Sequence, residues 1–205
     1  MKNSWTGGEV ASTCMAPEEN LAVAVHLREP GAFERLIDRF ETALYRYVHG
    51  MLQNPFDAQE VVQDTFLRAH KALTKQYDHA RCAALALKPW LFKTARNLSL
   101  NKRRSKTRAL EQPLDSFSDD RLGPFVKVEV SNLERREEID LLKRAIALLP
   151  VEARELIVLR FMEDMSYADI ARTVGGTEAA LRGKVFRSLR LLRDALESKG
   201  VAHAM

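Results

Sequence analysis

The residue types able to carry bond chemistry are scattered along this chain. His26, His49, His70 and His79 have no partner at metal-ligand or catalytic-triad spacing, and no glycine-rich phosphate loop accompanies them. Cys14 and Cys82 stand far apart with no paired spacing, so they predict neither a disulfide framework nor a zinc site. No catalytic residue, metal or cofactor is expected. What the chain does concentrate is charge. Lys88 to Arg108 contains eight basic residues and no acidic one, whereas 109–134 carries six acids against two bases. From Thr177 to Arg193, Arg182, Lys184, Arg187, Arg190 and Arg193 oppose Glu178 alone. Two cationic elements flanking an acidic connector suit a polyanion gripped at two places, and nucleic acid is the polyanion that fits.

The size of the chain bounds the elements that must position these charges. With 205 residues and 46% apolar content it can bury the core of one or two small domains. The longest uninterrupted apolar run, Cys82 to Leu87, is far below the roughly 20 residues a membrane span requires. Lys2 is followed by a polar Gly/Ser/Thr stretch without the apolar core of a secretory signal. No membrane insertion is expected, and the cytoplasm is the expected location.

Apolar periodicity predicts an all-α fold: two small helical domains joined by a flexible acidic linker, the C-terminal one a helix-turn-helix. Residues 1–17 lack periodicity and read as a disordered arm. From Glu18, Phe33, Leu36, Ile37, Phe40, Leu44, Tyr47, Val48 and Met51 recur at helical spacing and predict one long amphipathic helix. Asn54-Pro55 reads as an N-cap and first helical residue, opening a second helix to about Lys75. A loop over about 76–87 precedes a basic helix that restarts at Pro89 and closes the first domain, 18–108. Trp90 and Phe92 are expected in its core. Pro113, Gly123 and Pro124 make 109–133 a linker. The second domain, 134–198, begins with helices around Ile139–Leu149 and Leu156–Phe161, and 199–205 is a tail.

Within that domain Ser166 and Asp169 form a capping-box start, Gly175-Gly176 a turn, and Thr177 a cap for a longer basic helix. Leu181, Val185, Leu189, Leu192 and Leu196 are its expected buried stripe. Ala180, Gly183, Arg187 and Arg190 lie opposite, small at first and cationic later. Such a face permits close approach to a major groove, with arginines reaching phosphates or guanine edges. Thr177, Glu178, Arg182 and Lys184 complete the expected contact set. These residues alone also fit a stand-alone helix-turn-helix transcriptional regulator.

Three stretches narrow the reading. Asp57-Ala-Gln-Glu-Val-Val-Gln-Asp-Thr-Phe-Leu-Arg-Ala comes first, followed by Trp90-Leu-Phe-Lys-Thr-Ala-Arg-Asn-Leu. Leu149-Pro, Arg154-Glu-Leu, Val158-Leu-Arg-Phe and Met165-Ser-Tyr-Ala-Asp-Ile-Ala complete the order. Together they resemble the extracytoplasmic-function (ECF) sigma factors of bacterial RNA polymerase. The resemblance implies a promoter-specificity subunit without bond chemistry of its own, acting under stress or envelope signals. Its implied partners are core RNA polymerase through the beta-prime clamp and beta flap, promoter DNA, and an anti-sigma factor. Region 2 of the family corresponds to 18–108, and region 4 to 134–198. The resemblance assigns Asp57, Glu60, Gln63, Asp64 and Arg68 to polymerase docking, with Val61, Val62, Phe66 and Leu67 facing the core. It assigns Arg96, Asn97, Asn101, Lys102, Arg103 and Arg104 to the melted minus-ten strand, with Tyr77 and His79 in the loop that captures a base. The helix-turn-helix contacts then fall on the minus-thirty-five duplex.

Overall fold

The computed structural model describes residues 20–110 and 133–200, with side chains placed for 20–106 and 139–197. The N-terminal arm, 111–132 of the linker and the last five residues lie outside the described residues. Among those described, every regular element is helical.

The single long helix expected from Glu18 is broken in two. Asn20 caps α1 (Leu21–His26), and α2 (Ala32–Leu52) starts only after a turn in which Arg28 and Gly31 take positive φ. Glu29-Pro30-Gly31 supplies the break, because the residue before proline avoids the helical region and glycine accepts the left-handed one. Asn54 caps α3 (Pro55–Lys71) by accepting from the Asp57 amide at 3.0 Å, with Pro55 in the first turn. α3 runs on into a π turn, Ala72–Gln76, whose Leu73 carbonyl is bonded to His26 Nδ1 at 2.9 Å. The expected loop holds a short helix of its own, α4 (His79–Ala83), capped by Asp78. The basic helix α5 spans Leu87–Leu110.

The second domain comprises α6 (Leu133–Leu148), α7 (Val151–Ile157) continued by a π turn Val158–Met162, α8 (Tyr167–Val174) and α9 (Glu178–Gly200). Ser166 caps α8 as expected, its Oγ accepting from the Asp169 amide at 3.1 Å, but the Asp169 carboxylate accepts from the Ser166 hydroxyl at 2.8 Å instead of the Ser166 amide, so only half of the capping box forms. Gly175 and Gly176 both take positive φ, which makes the turn into α9 tight, and Thr177 Oγ1 accepts from the Ala180 amide at 3.3 Å.

The apolar core does not respect the sequence division. One cluster joins Leu36, Leu44 and Tyr47 of α2 and Phe92 of α5 to Leu159, Ile170 and Leu181 of the second domain. Each such side chain contributes about 1.5–3 kcal/mol on burial. α2 thus packs on α7, and α5 on α8. A smaller cluster of Ile146, Leu149, Ala153 and Ile157 holds α6 and α7 against Leu192 of α9. Arg154, itself buried, draws these parts together. Its guanidinium donates to Ile146, Ala147 and Leu149 carbonyls at the end of α6 and to Gly50 O of α2 at 2.6 Å. No helix among the described residues is long and apolar enough to cross a membrane.

Candidate nucleic-acid interface

On α5, Asn97, Asn101 and Arg104 are exposed and recur at four and three residues, so they share one helical face. Lys93, four residues before Asn97, is also exposed on that face. Lys93 belongs to the basic run but lies outside the expected contact set, although its spacing from Asn97 marks it. Arg103 is exposed beside this row.

Lys102 and Arg96 point elsewhere. Lys102 pairs with Glu60 and, at 3.7 Å, with Asp57, while Lys106 bonds the same Asp57 carboxylate. The Glu60 hydrogen bond is the main reason the Lys102 ammonium is held above its ordinary pKa. Asp57 and Glu60, both expected at polymerase, therefore serve α3–α5 packing in this state. Arg96 Nε donates to Glu155 Oε1 at 2.8 Å across the domain boundary. The Tyr47 hydroxyl donates to the same oxygen at 2.6 Å, and burial, with Glu155 adding to it, pushes the Tyr47 phenol well above its usual value.

Beside α5, Tyr77 is half-buried with its hydroxyl accepting from Trp90 Nε1 at 3.2 Å. The Arg81 guanidinium lies 3.8 Å from the Tyr77 ring centre, so a base stacking on that face must displace it. His79 is exposed and stands edge-on to His26. Phe92 is fully buried and Trp90 packs against the core, as expected of both.

Gln63, Asp64 and Arg68 lie on the free side of α3. Gln63 borders a groove between α2 and α3, whose apolar lining includes Phe33, Ile37, Tyr45 and Phe66. Leu67 lines it too, and is 61% exposed where the core was expected. The α3 stripe turns inward through Val62, Phe66, Ala69 and Leu73, which leaves position 67 on the rim.

In the second domain Thr177, at the cap of α9, and Glu178, Ala180, Arg182, Lys184, Arg187 and Arg190 on the helix are all exposed, with Gly183 half-buried among them. Arg182 pairs with Glu178 at 3.6 Å and lies over the Tyr167 ring. Of the expected stripe, Leu181 and Val185 are buried and Leu192 and Leu196 half-buried, whereas Leu189 is 39% exposed and Ser188 is buried beside it. Ser188 reaches this depth because its hydroxyl donates to Lys184 O at 3.0 Å, which satisfies the polar group inside the helix.

Comparison with known proteins places this geometry. Residues 36–109 match the model of sigma-70 region 2, and residues 139–192 match sigma-70 region 4. The ECF RNA polymerase sigma factor SigM of Bacillus subtilis is 26% identical over 169 residues, covering 82% of this chain and 96% of SigM. The chain belongs to the extracytoplasmic-function sigma factors. The BldN sigma factor of Streptomyces coelicolor is 31% identical to this sigma factor over 82% of the chain, which spans 61% of BldN's length. In fold, the sigma factor is similar to RpoE solved with the anti-sigma factor NepR from Bartonella quintana. That likeness has a TM-score of 0.63 at 21% identity, over 82% of this chain and 98% of RpoE. CnrH, solved with the cytosolic domain of CnrY, gives a TM-score of 0.60 at 24% identity, over 87% of this chain and 96% of CnrH.

Proposed function

We propose that this ECF sigma factor binds core RNA polymerase, recognises promoter DNA and helps melt it, with the work divided between its two domains. The observation that carries this reading is the presence of region 2 and region 4 in one chain and in that order. It favours a sigma factor over a stand-alone regulator, which needs no region 2.

In the first domain the melted minus-ten strand lies along Lys93, Asn97, Asn101 and Arg104. Amides and cations on one exposed helical face can meet base edges and phosphates together, and a separated strand has both to offer. Tyr77 and His79 stand at the adjoining loop. Polymerase docks on the free side of α3, which carries Gln63, at the rim of the α2–α3 groove, together with Asp64 and Arg68. Apolar surface beside polar groups is the composition expected of a protein interface. In the second domain α9 enters the major groove of the minus-thirty-five element with Ala180, Gly183, Arg187 and Arg190. The remaining surface of that domain meets the beta flap. The protein performs no bond chemistry and works in the cytoplasm, where an anti-sigma factor restrains it.

Reconstitution with core polymerase, followed by sequencing of transcript starts, tests the reading. A shared promoter pattern upstream of starts that appear only when the protein is added is the expected result. Tight binding of duplex DNA by the free protein as a dimer, with no new starts, would overturn it.

A further inference from the structure

The loop beside α5 carries an aromatic face with a cation laid over it. Tyr77 is half-buried, and Trp90 holds its ring in two ways. The phenol oxygen accepts from the indole Nε1 at 3.2 Å, and the two rings meet edge-on with centres 6.1 Å apart. The Arg81 guanidinium carbon lies 3.8 Å from the Tyr77 ring centre. Arg81 is exposed, and its guanidinium has no carboxylate partner among the described residues.

The ring and the cation are fixed to different degrees. The ring is held at its hydroxyl and against Trp90, whereas Arg81 is tied at its main chain, where its amide donates to Asp78 Oδ1 at 2.8 Å in the cap of α4. A nucleobase can take the ring face from the guanidinium, because base stacking on an aromatic ring outweighs an exposed cation–π contact. The displaced guanidinium stays within reach, since the cap fixes the backbone that carries it. It then meets the edge of the base that replaced it. A guanidinium donates through a planar fork and accepts nothing. Guanine, at O6 and N7, and cytosine, at N3 and O2, each present two adjoining acceptors, whereas adenine and thymine set a donor beside or between theirs.

We propose that Arg81 is a specificity-determining residue of the base-capture loop: its guanidinium holds the Tyr77 face until a base of the melted strand displaces it, and then selects guanine or cytosine by a forked hydrogen bond to two adjoining acceptors. The inference rests on the reading of Tyr77 as the platform for that base.

Transcription by the reconstituted holoenzyme tests it, on a promoter found by start mapping with each minus-ten position randomised in turn and the transcripts sequenced. One position should favour guanine or cytosine over adenine and thymine by about tenfold, as a forked contact to a base edge provides. Arg81→Ala should flatten that preference and leave the other positions as they were. Arg81→Lys should flatten it too, because an ammonium keeps the charge without the fork. Tyr77→Leu should lower output whatever base stands there, and Tyr77→Phe, which keeps an aromatic face, should restore it. The role of Arg81 is overturned if wild type shows no such position, or if the preference survives in Arg81→Ala or Arg81→Lys. The platform stands in that case, provided Tyr77→Leu is weak and Tyr77→Phe is not. Wild-type output from Tyr77→Leu, or equal loss in Tyr77→Leu and Tyr77→Phe, removes the platform and the selection with it.

Discussion

A Cβ at Gly183 would meet only the Arg187 guanidinium, at 3.8 Å, so the protein itself leaves room for a side chain there. That makes Gly183 a probe of what lies outside α9. Gly183→Leu should raise intrinsic helix stability by up to about 1 kcal/mol, yet it should impair binding of upstream promoter duplex by blocking backbone approach. Arg187→Ala should weaken the same binding by about 1–3 kcal/mol through loss of a charged contact. Gel-shift titration of polymerase holoenzyme on promoter DNA measures both, and wild-type affinity in both variants would remove this face from the groove. Neighbours on α5 separate in the same way. Arg104→Ala should impair open-complex formation with little effect on melting temperature, since Arg104 makes no ion pair among the described residues. Lys102→Ala should lower thermal stability, because it leaves Glu60 and Asp57 with one cation fewer. Potassium permanganate footprinting and calorimetry read the two effects, and identical behaviour of the variants would cancel the distinction.

At the scale of elements, α2 ends in a titratable group. Burial, with the Arg154 guanidinium adding to it, holds the His49 imidazole below its ordinary pKa of 6.5. The unfolded chain therefore takes up a proton near pH 6.5 that the folded chain resists. The stability from neutral His49 is complete above that pH and is lost as pH falls towards the folded value. Glu163 acts in the opposite sense. Burial pushes its carboxyl up, which gives stability present below the ordinary carboxylate value of 4.5 and lost as pH rises through the folded one. Comparing wild type with His49→Gln leaves the Glu163 share common to both. The wild-type melting temperature should fall more than the variant's between about pH 7.5 and about pH 5.5, and equal falls would exclude His49 as the source. Helix starts were legible in the sequence because caps are local: Asn54 and Ser166 each bond an amide three residues on. The break at Pro30-Gly31 was equally local but lay under a continuous apolar pattern. Leu67 and Leu189 were misread because the edge of an apolar stripe depends on neighbouring helices that periodicity does not specify.

For the whole molecule, the contact between domains was the part the sequence concealed. Tyr47 and Glu155 are 108 residues apart, and nothing local to either marks the other. The linker was easier to find, from Pro113, Gly123, Pro124 and a missing apolar stripe. Limited digestion should cut first within 111–132. The two fragments should still elute together on gel filtration at low salt, since α2 and α5 share a core cluster with α7 and α8. Separate elution of folded fragments would place the association in the linker instead. The pairing on α5 also changes how its charge is counted. Of the eight cations between Lys88 and Arg108, Arg96, Lys102 and Lys106 already lie against carboxylates. A lysine or arginine so engaged is not free to neutralise a phosphate and release the counterions condensed on the nucleic acid. Counterion release on binding a single strand lowers log K against log salt by about 0.7 per neutralised phosphate. The slope for this protein should therefore fall well short of the value for eight cations and steepen when the domains part. Ionic strength thus becomes a ruler for how many of its charges the chain has kept for itself.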